Sequence, residues 1–133
     1  MPNPHIKTEL PGPKAQALIA RDAAVVSPSY PRDYPFAISH GRGTEVWDVD
    51  GNEFIDLMCS YGPIVLGHRH PAVETAALRQ MADGDCFNAP SRRWVELAER
   101  LVALTPFADW AAFAKDGSDV CTWAVAVARE HTG

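Results

Sequence analysis

Apolar residues recur at helical spacing in four stretches of this chain and alternate with polar residues in a fifth. The spacing of Ala17 and Leu18 predicts a first helix over Lys14–Ala24. Pro71 suits the first turn of a second helix, running to about Ala82, because that position needs no N–H donor. Trp94, Leu97, Ala98, Leu101 and Val102 share one face of a third helix, from Arg92 to Leu104. Ser91 is placed to cap it and Thr105-Pro106 to end it. Val120, Trp123, Ala124, Val127 and Ala128 fall at i, i+3, i+4, i+7 and i+8, which is the face of a last helix. The alternating stretches are Thr44–Val49 and Glu53–Leu57, on either side of Asp50-Gly51-Asn52, a strong hairpin signal. Phe36–Ser39 offers a third strand. Residues 27–35 carry three prolines and are expected to be extended and irregular, and 58–70 reads as a glycine-punctuated loop.

Trp110–Lys115 reads as a short apolar strand that leads through Gly117-Ser118 into the last helix. A strand followed by a helix normally serves a parallel sheet, and the hairpin near residue 50 already has its own. Left unpaired, such a strand costs about 1–3 kcal/mol for each buried backbone group, so the chain reads as unfinished. A glycine turn opening a helix presents backbone N–H groups at the positive end of the helix dipole, a natural seat for a phosphate. The plainer reading of Gly117-Ser118-Asp119 is a loop glycine, an N-cap and a carboxylate in the first helical turn.

At 133 residues the chain has room for one domain or part of a larger one. With 47% hydrophobic and 22% charged residues it has globular rather than disordered composition. A net charge of −5 supplies no basic stripe for nucleic acid; Arg92-Arg93, the densest basic spot, reads as a solvated face. No apolar run approaches the roughly 20 residues that span a bilayer, and no membrane partner is expected. Cys59, Cys86 and Cys121 are odd in number and far apart, which suggests thiols in a reducing, cytoplasmic setting. The opening Met-Pro-Asn-Pro-His-Ile-Lys lacks the apolar core of a secretory signal.

Three motifs fail on inspection. Asp48-Val-Asp-Gly-Asn52 resembles the start of a calcium loop, but the sixth and twelfth positions hold Glu53 and Cys59 instead of glycine and glutamate. Gly41-Arg-Gly43 lacks the third glycine of a dinucleotide fingerprint and precedes a strand. His68 and His70 have no further ligand at zinc spacing, so no metal is expected; a loop histidine and a helix cap explain them.

Taken together, several segments resemble the class III, fold-type I pyridoxal-phosphate enzymes, the aminotransferases that include the glutamate-1-semialdehyde aminomutases. The matching residues are Gly43–Leu57, Ser60–Val73, Phe113–Asp119 and Ala128–Gly133, in family order and spacing. The resemblance implies an α/β chain of three parts: an arm and helix over 1–26, a small segment with the hairpin over 27–85, and the start of the large cofactor-binding domain over 86–133. It implies that Gly117, Ser118 and Asp119 hold the phosphate of pyridoxal 5′-phosphate, by backbone N–H groups and a hydroxyl. Tyr61 falls where an aromatic lines the active-site mouth, and Arg32 near where the aminomutases place an arginine for a substrate carboxylate.

Asp116 departs from the pattern, since the family often has serine or asparagine before the glycine. A carboxylate there repels a phosphate unless it points away. The family's Schiff-base lysine is expected beyond Gly133, because the only lysines are Lys7, Lys14 and Lys115, and none has the right place. No residue here receives a catalytic role. The resemblance thus implies the N-terminal portion of a homodimeric enzyme that moves an amino group from a small-molecule donor to an oxo acceptor. The alternatives are intramolecular amino exchange of the aminomutase type, and a non-catalytic module that pairs with a full-length homologue. The purified 133-residue chain is expected to give no transamination and little absorbance change with pyridoxal phosphate; robust turnover would refute the reading.

Overall fold

A computed structural model describes residues 4–30, 32 and 34–133. Within the proline-rich stretch 27–35, Pro31 and Asp33 lie outside the described residues. The chain divides into two units, Met1–Asp83 and Gly84–Gly133.

The first unit holds α1 (Pro13–Val25), the strands β1 (Ile38–Arg42), β2 (Glu45–Asp48) and β3 (Glu53–Ile55), and α2 (Pro71–Asp83). The strands form an antiparallel sheet in the order β1-β2-β3. Val46 faces Gly41 on one side and Phe54 on the other. β1, the strand expected over Phe36–Ser39, starts two residues later than the sequence suggests and runs through Gly41 to Arg42, with a register shift between Ile38 and His40. Backbone pairing with β2 overrides the local glycine signal there, leaving the turn to Gly43-Thr44. Phe36 meets Phe54 edge to face at 5.1 Å, and His40 stacks flat on Trp47 at 4.7 Å.

The centre of this unit is polar. Asn52 is 0% exposed and Asp48 3% exposed. Asn52 Nδ2 donates to Asp48 Oδ2 at 2.7 Å and to Thr8 Oγ1 at 2.9 Å. Its Oδ1 accepts from the backbone N–H groups of Lys7, at 2.6 Å, and Thr8, at 3.0 Å. A backbone bridge between His5 and Glu53 runs alongside, at 3.0 and 2.9 Å. His5, Lys7 and Thr8 are therefore tied to Glu53 and Asn52.

Asp50, next in the same turn, reaches α1. Gly12 stands at the N-cap and brings no side chain to the helix start. Asp50 Oδ1 and Oδ2 accept instead from Lys14 N and Ala15 N at 3.0 and 2.8 Å. A Cβ on Gly12 would lie 2.5 Å from the Asp50 carboxyl carbon, so the approach requires glycine. The cap of this helix is thus supplied from thirty-five or more residues away.

The second unit holds α3 (Arg92–Leu104) and α4 (Gly117–Thr132), neither with a buried residue. Ser91 caps α3 by accepting from Trp94 N at 3.3 Å, as its position in the sequence suggests. Trp94 packs on Phe113 at 4.9 Å. The expected strand Trp110–Lys115 is not formed: it pairs with no other segment among the described residues. An apolar segment becomes a strand only when a neighbour satisfies its backbone.

Replacing Asn52 with alanine orphans several buried groups, at about 1–3 kcal/mol each. The substitution Asp50→Ala removes only a helix cap, worth about 1 kcal/mol. Urea titration is expected to show N52A losing clearly more stability than D50A; equal losses would mean that the arm is not docked on the turn.

Candidate functional site

Between β3 and α2 the chain makes a turn that few sequences tolerate. Cys59, Ser60 and Tyr61 all have positive φ, at 51°, 50° and 63°. Left-handed backbone at a residue with a side chain costs of order 1 kcal/mol or more, so such a run persists only where its surroundings hold it. Asp56 supplies part of that hold. Its Oδ1 accepts from Met58 N and Cys59 N, both at 2.9 Å.

Its other oxygen meets His68 Nε2 at 2.7 Å, with both side chains largely buried, at 10% and 15% exposure. His68 is itself fixed, through backbone bonds of 2.9 and 2.8 Å to Gly43 across an antiparallel bridge. Its ring lies so close over Gly41 that a Cβ there would sit 2.6 Å from the imidazole. Asp56, His68 and Ser60 contribute to an open cavity of about 580 Å³ whose other walls include Tyr34, Phe36 and Phe54. The hydrogen bond from His68, with those from Cys59 and Met58, holds the Asp56 carboxyl below its ordinary value of 3.8 against the opposing effect of burial. At Asp48 burial pushes upward, but the bonds from Asn52, Asp50 and Gly51 outweigh it, so that carboxyl is also held below 3.8.

Tyr61 ends the left-handed run and is 74% exposed. Arg32 forms an ion pair through Nε with Asp22 of α1, and its Nη1 donates to the Tyr30 carbonyl at 2.9 Å. The Asp22 carboxyl is lowered, first by that hydrogen bond, and the Arg32 guanidinium is raised by it. In this structure the side chain expected to meet a substrate carboxylate is engaged by a carboxylate of the chain itself. The His70 carbonyl accepts from Glu74 N at 3.0 Å, but its Nδ1 is buried without a hydrogen-bond partner among the described residues, so the side chain does not cap α2 as the sequence suggests.

In the second unit Gly117, Ser118 and Asp119 share the first turn of α4. The N-cap is Asp116 and not Ser118: its side chain accepts from Asp119 N at 3.0 Å. The sequence rule that ranks aspartate among the best caps carries this assignment, against the expectation that serine after the glycine would cap. A Cβ built on Gly117 meets nothing within 4 Å. Among the described residues, the N–H groups of Gly117 and Ser118 meet no acceptor. The donor set suits a phosphate, and one of its members already binds an anionic oxygen. The apolar face of α4 is exposed: Val120, Trp123 and Val127 line a shallow cavity with Trp110 and Ala112.

The Asp56–His68 pair has no signal in sequence spacing, since its members stand twelve positions apart across a loop. The one available cue was a carboxylate at the end of a strand before a glycine-rich, histidine-bearing loop.

The profile of the aminotransferase class-III family matches residues 27–133, and the chain belongs to that family. Pyridoxal phosphate is the family's cofactor. The aminopentol aminotransferase of Sphingopyxis macrogoltabida is 43% identical over 77% of this chain and 24% of its own length. A glutamate-1-semialdehyde 2,1-aminomutase of Syntrophomonas wolfei is 38% identical over 74% of the chain and 23% of its own. An omega-transaminase from Sphaerobacter thermophilus superposes with a TM-score of 0.83 at 32% identity, covering 93% of this chain and 30% of that one. The chain therefore spans about a quarter of the length of the curated relatives it matches. Its α/β architecture is part of the fold-type I transaminase fold. No helix among the described residues is long and apolar enough to cross a membrane.

Asp48 and Asp56 have folded values below 3.8, so their contribution to stability is complete above that value and is lost as pH falls through the folded values. Denaturant midpoints of the first unit are expected to hold near neutrality and fall below about pH 4. The substitution Asp56→Asn should flatten that acid limb; an unchanged slope would show that Asp56 is not held by His68.

Proposed function

We propose that this chain supplies the phosphate anchor and part of the substrate mouth of a pyridoxal-phosphate-dependent aminotransferase, which moves an amino group from a small-molecule donor to an oxo acceptor. The observation that carries the reading is the family match running through the start of α4, where the N–H groups of Gly117 and Ser118 meet no acceptor among the described residues. In this reading residues 1–26 and 27–85 form the arm and the small segment, and 86–133 begin the large cofactor-binding domain of a homodimer acting in the cytoplasm.

Gly117 and Ser118 present backbone N–H groups, and Ser118 a hydroxyl, to the three acceptor oxygens of a phosphate. Asp119 supports the same turn through its N–H, while its carboxylate favours the helix dipole. Asp116 opposes the phosphate, because its carboxylate holds the Asp119 N–H that an incoming oxygen would take. When bound, pyridoxal phosphate supplies an electron sink for the carbon that loses its proton. Tyr61 gives the mouth an aromatic wall. Arg32 meets a substrate carboxylate after exchanging its Asp22 partner.

An aminomutase-type reaction within one substrate is the second reading, and similarity to the aminomutases favours it. Arg32 has a role in both.

Inorganic phosphate and pyridoxal phosphate, titrated into the chain and followed on the amide signals of Gly117 and Ser118, test the anchor. Saturable shifts are expected, and Asp116→Asn, which keeps the cap and removes the charge, should tighten binding about tenfold. No shift with either ligand, in parent and variant alike, would remove the anchor.

A further inference from the structure

Turn 59–61 is the most strained backbone described in the first unit, and its support comes from one direction. The sheet edge at Gly41 and Gly43 fixes His68, by ring contact and by two backbone hydrogen bonds. His68 Nε2 holds Asp56 Oδ2 at 2.7 Å, and Asp56 Oδ1 holds the N–H groups of Met58 and Cys59 at 2.9 Å. The carbonyls of Met58 and Cys59 then accept from Tyr61 N and Gly62 N at 3.1 and 2.9 Å. The order of restraint runs from rigid sheet to imidazole, to carboxylate, to the left-handed run. Since the imidazole faces a carboxylate through Nε2, that nitrogen carries the proton, which leaves Asp56 entirely an acceptor.

We propose that Asp56 and His68 are a positioning pair: they hold Cys59–Tyr61 left-handed, keep Ser60 in the wall of the apolar cavity, and fix where Tyr61 is presented. The last clause rests on the reading of Tyr61 as a mouth residue. Neither side chain need touch a reactant. Asp56 pre-orders the backbone that carries Tyr61, as a carboxylate accepting hydrogen bonds from three groups does better than a neutral residue of its size. The pair also explains why a histidine sits against a glycine: only without a side chain at position 41 does the ring reach the carboxylate.

Amide hydrogen exchange on the full chain reads the turn directly. The substitution His68→Ala should speed exchange at Met58 and Cys59 by at least about tenfold relative to Val46 and Phe54 in the sheet. His68→Gln places an amide N–H near the position of Nε2 and is expected to restore protection. If H68A does not fold, Asp56→Asn decides: its amide faces Nε2, and the His68 ¹⁵N signals should show the proton moved to Nδ1. Exchange that follows the sheet in every variant, or an unmoved proton in D56N, overturns the pairing. Titration of pyridoxal phosphate, read at the Tyr61 ring, tests the mouth role apart from this. A silent ring beside a loosened turn in H68A would support the positioning pair and remove only that role.

Discussion

The joining of the arm to the hairpin depends on a single side chain, the amide of Asn52, which the fold has buried completely. An amide can donate and accept at once, and here it does both on two sides. Its nitrogen binds the Asp48 carboxylate and its oxygen binds the backbone of the arm. A buried carboxylate without such partners would neutralise itself or be expelled. With them it becomes the centre of a knot joining the hairpin turn, the arm and, through neighbouring Asp50, the helix α1. The apolar core around it is small, with Ala15, Ala37 and Val46 as its buried members among the described residues. Polar satisfaction therefore does here what a larger domain assigns to hydrophobic packing.

The loop after the sheet repeats that arrangement in miniature. A carboxylate accepts from two backbone amides and an imidazole, and the imidazole is pinned to the sheet edge. Both carboxylates are acceptors from several directions, which is why both are held below the ordinary value even though burial works against it. The second unit has no comparable knot. Its helices keep their amphipathic faces in the open, and its best-formed polar feature is the carboxylate cap on α4.

Local rules read from the sequence located the helices to within a residue or two, because capping and periodicity act over one or two turns. Pro71 and Ser91 mark helix starts that the structure keeps, and α1 begins one residue before the expected Lys14. The Asp-Gly-Asn hairpin was equally legible, but its contents were not. Nothing in Asp48-Val-Asp-Gly-Asn52 announces that one aspartate is buried, the next caps a distant helix and the asparagine binds the arm. These are contacts across more than thirty positions. The strand expected at Trp110–Lys115 shows the opposite failure: composition can indicate a strand, but only a partner makes one. At α4 the sequence marks where the helix starts, but its plainer reading expects the wrong cap, since Ser118 and Asp116 are both good caps and only backbone geometry chooses between them.

The contact between Gly41 and His68 carries one more consequence. With the imidazole in place, a methyl group at position 41 would stand 2.6 Å from the ring. The two positions therefore constrain each other. A side chain at position 41 has to push the ring off Asp56, so a change made in the strand would be felt in the loop.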